Sequence, residues 1–94
     1  MALVLQLVPG EDFYIGDERY VLKQIMSETA FTIERERDRR AFHLVDDRSV
    51  LLEADVYASV GTRGQRNLAK LCIEAPRSIA VIRGKLHRGR RSGI

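Results

Sequence analysis

Cysteine occurs once in these 94 residues, at Cys72, proline twice and tryptophan not at all. One cysteine closes no internal disulfide, so the chain is not a disulfide scaffold, and a reducing, cytoplasmic setting is the expectation. Two histidines and one cysteine, far apart in the chain, give no metal-ligand spacing. No metal or other cofactor is therefore expected. No apolar run reaches the length of about 18 residues that a membrane-spanning helix needs. The opening MALVLQLVPG has neither a basic stretch nor a small-residue cleavage site, so it does not read as a signal peptide. What is there is a globular composition: 45 % hydrophobic and 31 % charged, enough for one small domain with a modest core.

Charge is divided by position. Residues 1–60 carry 7 Lys/Arg and 12 Asp/Glu, net −5, whereas residues 61–94 carry 9 Lys/Arg and 1 Glu, net +8, which together make the +3 of the chain. An acidic bulk with a basic last third suits a polyanionic partner on one face, and equally suits a solubilising basic tail.

The hydrophobic pattern reads as strands almost throughout. Residues 2–8 alternate and stop at Pro9-Gly10. Residues 13–15 form a short apolar run ended by Gly16-Asp17-Glu18, and residues 20–26 are rich in β-formers. Phe31 and Ile33 share one face of a strand over 30–35, and Phe42 and Leu44 one face of a strand over 40–45. Val50, Leu52, Ala54, Val56, Ala58 and Val60 alternate with Leu51, Glu53, Asp55, Tyr57 and Ser59, which predicts one strand over 50–60. Ala69, Leu71 and Ile73 give another, closed by Ala75-Pro76, and residues 78–82 a last one. The fold class expected is all-β, a small antiparallel sheet, barrel or sandwich over residues 1–86. Residues 87–94 form a basic tail, with at most one helical turn around Gly84–His87. The short strands 2–8 and 78–82 are candidate edges, and pairing them with a second copy would give a strand-exchanged homodimer.

Two blocks, LVLQLVPGEDFYIGDE at 3–18 and LAKLCIEAPRSIAVIRGKL at 68–86, resemble the opening and closing halves of the carbon storage regulator family of bacterial post-transcriptional regulators. The resemblance is carried by Gly10-Glu11, Ile15-Gly16-Asp17, the Gly61-Thr62-Arg63-Gly64 loop, Ala75-Pro76 and Arg83, over about 40 residues. The opening is also similar, more faintly, to the flagellin-translation repressor family. The chain departs from the regulator pattern in some 30 extra residues, about 20–55, which read as added strands. Leu7 and Val8 stand where that family carries basic residues, and a Gly/Arg-rich stretch stands in place of its C-terminal helix.

The resemblance implies an intertwined homodimer, with the first strand of one subunit beside the last strand of the other. It implies two RNA sites that bind GGA in hairpin loops of messenger leaders and block translation. Carried over by position, each site uses the backbone of Val4, Leu5 and Gln6 with Ala75, Pro76, Arg77, Ile79 and Arg83 of the other subunit. Lys70, Arg77, Arg83, Lys85 and Arg88, with Arg90 and Arg91, would supply the salt-sensitive phosphate contacts. Single-stranded loops expose base edges that an edge strand can read, and arginine offers a planar fork to guanine or phosphate.

Each feature has a plainer reading beside it. Arg83 also fits a solvated arginine, and residues 85–91 a solubilising tail. The Gly61–Asn67 loop lacks the Gly-Lys-Ser/Thr ending of a nucleotide loop and reads as a hairpin turn. Asp46-Asp47 and Glu11-Asp12 read as solvated turns, Cys72 as a small, at least half-buried hydrophobe, and His43 and His87 as non-catalytic. The chain is accordingly expected not to be an enzyme. The first reading is a GGA-loop RNA-binding repressor. The second is a protein-interaction module on the same scaffold, binding a partner through residues 27–55 with RNA binding weakened or lost.

Overall fold

The computed structural model describes residues 2–46, 48–61 and 67–84, and every element with described bounds is a strand. In chain order these are β1 (Ala2–Leu7), β2 (Asp12–Ile15), β3 (Glu18–Ser27), β4 (Ala30–Arg35) and β5 (Arg40–Val45), then β6 (Val50–Glu53), β7 (Val56–Val60), β8 (Ala69–Glu74) and β9 (Val81–Arg83). They form two antiparallel sheets, one in the order β1-β8-β7-β6 and one in the order β5-β4-β3-β2-β9. The all-β expectation holds. The tail 87–94, with His87 and Arg88, lies outside the described residues, as do Lys85 and residues 62–66 of the Gly61–Asn67 loop.

The inner faces of the two sheets share one core. Leu5, Leu7, Ala58, Ala69, Leu71 and Ile73 come from the four-stranded sheet, and Phe13, Tyr20, Leu22, Phe31, Ile33, Phe42 and Leu44 from the five-stranded one. Burial in alternate positions is what a sheet with one wet face requires. Phe13 and Tyr20 face each other across β2 and β3 and stack at 5.3 Å. Residues 20–55 do add strands: β3 to β5 make up most of the five-stranded sheet, and β6 is an edge of the other.

Two strand expectations are corrected. Residues 50–60 are a hairpin, not one strand. Asp55 takes a left-handed φ of 62° in a two-residue turn with Ala54, a conformation aspartate tolerates better than most residues. Glu53 pairs with Val56, yet Leu51 pairs with Tyr57, so Leu52 is an extra, bulged residue. The bulge keeps Val50 and Leu52 on the same side as Val56 and Ala58, and so the even-numbered alternation runs through the turn unbroken.

The last strand is displaced from 78–82 to 81–83. The Ile79 amide donates to the Pro76 carbonyl at 3.0 Å, which makes Pro76–Ile79 a turn. Pairing resumes where the Gly16 amide reaches the Ala80 carbonyl. The β2–β3 hairpin forms as expected at Gly16, whose φ of 61° suits its tight turn.

Arg35 ties the sheets together. Its side chain, only 8 % exposed, donates to the Leu52 carbonyl of the opposite sheet at 2.8 Å. It also forks onto Asp38 at 3.0 and 2.8 Å and lies over the Phe42 ring. The guanidinium, joined by the Arg40 amide, holds the Asp38 carboxyl down at about 2.

Candidate nucleic-acid interface

β1 and β9 are edge strands, one in each sheet. An edge strand turns alternate backbone N–H and C=O groups away from its neighbour, where a ligand can reach them. Leu3 of β1 and Ile73 of β8 line one side of a recess of about 240 Å³, while Val81 and Ile82 of β9 line the other. Ala75, Arg77 and Ile79, from the turn between β8 and β9, complete it. The recess is mostly apolar, with one guanidinium. Its lining is drawn from both blocks that carry the family resemblance. The first and last strands therefore meet within one chain here.

The expected residues divide into three groups. Ala75, Arg77 and Ile79 are together at the recess, with Pro76 half-buried beside them. Arg83 ends β9, paired with Phe13 and exposed at the sheet edge. Val4, Leu5 and Gln6 run along β1 away from the recess. Leu5 is buried, so that residue can offer only its backbone.

Lys70 stands apart from these. It pairs with Gln6 on the outer face of the four-stranded sheet, five extended residues from Ala75, about 17 Å along the strand, and does not join the recess. Leu7 is 2 % exposed, and a basic residue there would have to bury its charge, so the apolar residue belongs to the core.

Local chemistry fixes the β9 end. The Asp12 carboxylate accepts from Arg19 Nε at 2.7 Å, and Arg19 also bonds Glu36. A Cβ built on Gly84 would come within 2.0 Å of Asp12 Oδ1, so only glycine lets the chain follow β9 past that carboxylate. His43, read from the sequence as non-catalytic, shares a 2.9 Å hydrogen bond with Thr32 Oγ1.

A second, more open groove of about 390 Å³ is lined by Ile15, Gly16, Asp17, Glu18, Arg37, Glu53 and Ile79. Arg37 donates to Glu18 at 3.0 Å, which leaves the groove acidic overall and unsuited to nucleic acid. Among the described residues no group of three His, Cys, Asp or Glu could hold a metal ion, and no helix is long and apolar enough to cross a membrane.

Sequence reasoning missed Leu3, Ile73 and Ile82 as recess lining. They sit inside the quoted blocks, which the β1–β8 and β2–β9 ladders join, and the turn at Pro76–Ile79 brings β9 round to the recess. Leu51 and Tyr57, which the sequence pattern gives only as alternate positions of one strand over 50–60, stand exposed on the outer face of the four-stranded sheet.

Two packed antiparallel sheets, with an apolar recess bordered by an edge strand of each, define the class of the chain: an all-β sandwich-like fold with open edges. No protein-family model matches it, and neither a curated protein nor a solved structure matches it.

Proposed function

We propose that this chain is an RNA-binding post-transcriptional regulator of the carbon storage regulator type, which takes a GGA-bearing hairpin loop of a messenger leader and blocks translation there. The observation that carries the reading is the recess. Leu3 of edge strand β1 lines it together with Ala75, Arg77 and Ile79, so the strand and the segment that hold the residues the resemblance assigns to RNA border one concavity. Backbone groups of β1 would read base edges of an unpaired loop, and Arg77 and Arg83 would contact guanine or phosphate. Both arginines are exposed and make no ion pair with any described residue. The reading takes the protein as a cytoplasmic homodimer with two such sites. The strand-exchanged dimer that the resemblance implies would bring β1 of one copy near the 75–83 segment of the other.

A gel-shift titration tests it, using a hairpin RNA with GGA in its loop, a GGA→CCA control, and protein with Arg77→Ala or Arg83→Ala. The expected result is binding that needs GGA and weakens about tenfold with either substitution, a loss of the size of one good base contact. Binding that ignores the loop sequence and fades with salt would reduce the interaction to a nonspecific polyanion contact.

Exposed Val45 (38 %) and Leu51 (53 %) favour a second reading, in which residues 27–55 bind a protein partner. Complete absence of an RNA shift would move the assignment to it.

A further inference from the structure

We propose that the outer face of the four-stranded sheet docks a second copy of this chain, face to face across a two-fold axis. The inference goes beyond the RNA reading and does not rest on it. Strand register sets the side chains of this face in rows. Leu51, Tyr57, Glu74 and Ala2 form the first row, Ser59, Cys72 and Val4 the second, and Lys70 with Gln6 the third. Three of the large exposed hydrophobic residues stand here: Val4 and Leu51 at 53 % and Tyr57 at 46 %. Half-buried Cys72 lies at the centre.

The occupant follows from charge. Lys70 and Glu74 flank Cys72 on β8, and neither makes an ion pair with any described residue. A two-fold axis lying in the interface along the middle row turns one β8 antiparallel over the other. Val4 then faces Val4 and Cys72 faces Cys72, while each Lys70 lies over Glu74 of the second copy. An axis along the strands would instead set Glu74 on Glu74 and Lys70 on Lys70, which like-charge repulsion disfavours. The face is thus self-complementary in one orientation. Docking here keeps the β1–β8 and β2–β9 pairings intact, so it needs no exchange of strands. Four strands about 4.8 Å apart and five residues long give a face of roughly 15 by 17 Å, which sets the dimer among weak, concentration-dependent ones.

The test is sedimentation velocity of the full chain, free of RNA, over a wide concentration range, with Lys70→Glu, Glu74→Lys and the double exchange. Each single reversal sets like charges together at two symmetric places. The dissociation constant is expected to rise about tenfold or more in the singles and to return to within about threefold in the double. Cross-linking of Cys72 by a short bismaleimide is expected in wild type and in the double, and to fall in both singles. Circular dichroism melts confirm that each variant is folded. A wild-type chain that stays monomeric would overturn the proposal. So would singles that associate like wild type, as edge exchange would give, or a double that does not recover. Because RNA is absent from the measurement, failure of the RNA reading leaves this result standing.

Discussion

The two sheets treat their charges differently. In the five-stranded sheet and its hairpin tips, Arg19 meets Asp12 and Glu36, Arg35 meets Asp38, and Arg37 meets Glu18. All these pairs lie within residues 12–38. In the four-stranded sheet, Lys70 and Glu74 have no such partner among the described residues, and Val4, Leu51 and Tyr57 share its outer face in solvent; Arg77 in the turn after that sheet and Arg83 at the end of β9 are likewise unpaired among the described residues. Charges paired inside the chain hold the fold in one arrangement, whereas unpaired charges beside exposed apolar surface are available to something else. The four ion pairs come from the acidic part of the sequence, and the unpaired cations Lys70, Arg77 and Arg83 come from its basic third.

The largest expected effect breaks this comparison where the sheets join. Arg35→Leu removes the donor to the Leu52 carbonyl, the cover over Phe42 and the fork onto Asp38 at once. A buried carbonyl left without a donor, together with the lost packing, is expected to cost about 2–4 kcal/mol. Lys70→Ala, on the outer face, is expected to stay within about 0.5 kcal/mol, as for an ordinary surface change. Urea denaturation of both variants measures the contrast. Equal losses would mean that charge pairing does not separate the sheets. Arg35→Lys is not expected to rescue, since an ammonium cannot keep the planar fork and the stacking.

A smaller effect sharpens the comparison at the border between the regions. Gly84→Ala drives a methyl group into the Asp12 carboxylate, which Arg19 holds in place. The carboxylate sits on a short side chain and cannot swing far, so a loss of about 1–3 kcal/mol is expected. Hydrogen exchange should localise the loss to the amides of β9 and its partner β2. Gly61→Ala is the milder companion, because its added carbon would lie 3.3 Å from the Lys70 carbonyl oxygen. An even loss of protection across both sheets would show that β9 is not held locally.

Much of this arrangement was legible in the residues. The strands at 30–35 and 40–45 appear at their expected bounds, and the pairs read as sharing one strand face, Phe31 with Ile33 and Phe42 with Leu44, are buried. Period-2 patterns survive tertiary packing where one face is wet and the other dry. The hairpin within 50–60 was not legible, because a bulge at Leu52 restores the parity that the turn at Ala54-Asp55 would otherwise break. A strand beginning at residue 78 was misread because a turn formed by Pro76–Ile79 looks like β-forming sequence until its hydrogen bond is known. For the candidate site, the opening and closing blocks could be quoted from the sequence, but their meeting at Leu3 and Val81 depends on sheet order. Lys70 was grouped with them by charge alone, and the β1–β8 register puts it on another face.

The smallest expected effect lies inside the paired sheet and asks how complete its pairing is. The Tyr20 hydroxyl is buried beside the Arg35 guanidinium without completing a hydrogen bond of its own. Burial pushes its ionisation up to about 12, against 10.0 for a free tyrosine. Below pH 10 both folded and unfolded chains keep the proton, and its contribution to stability is fully present. As pH rises from 10 towards 12 the unfolded chain ionises first, and that contribution is lost. Tyr20→Phe keeps the stack on Phe13 and removes a hydroxyl without a partner. Stability at pH 7 is therefore expected to change by less than about 1 kcal/mol, and the fall in stability between pH 10 and 12 should become shallower than in wild type. Denaturant midpoints measured at pH 7, 10 and 11.5 read both expectations. A large loss at pH 7 would make Tyr20 a working member of the Arg35 clamp, and the paired sheet would then owe its rigidity to a buried network larger than its four ion pairs.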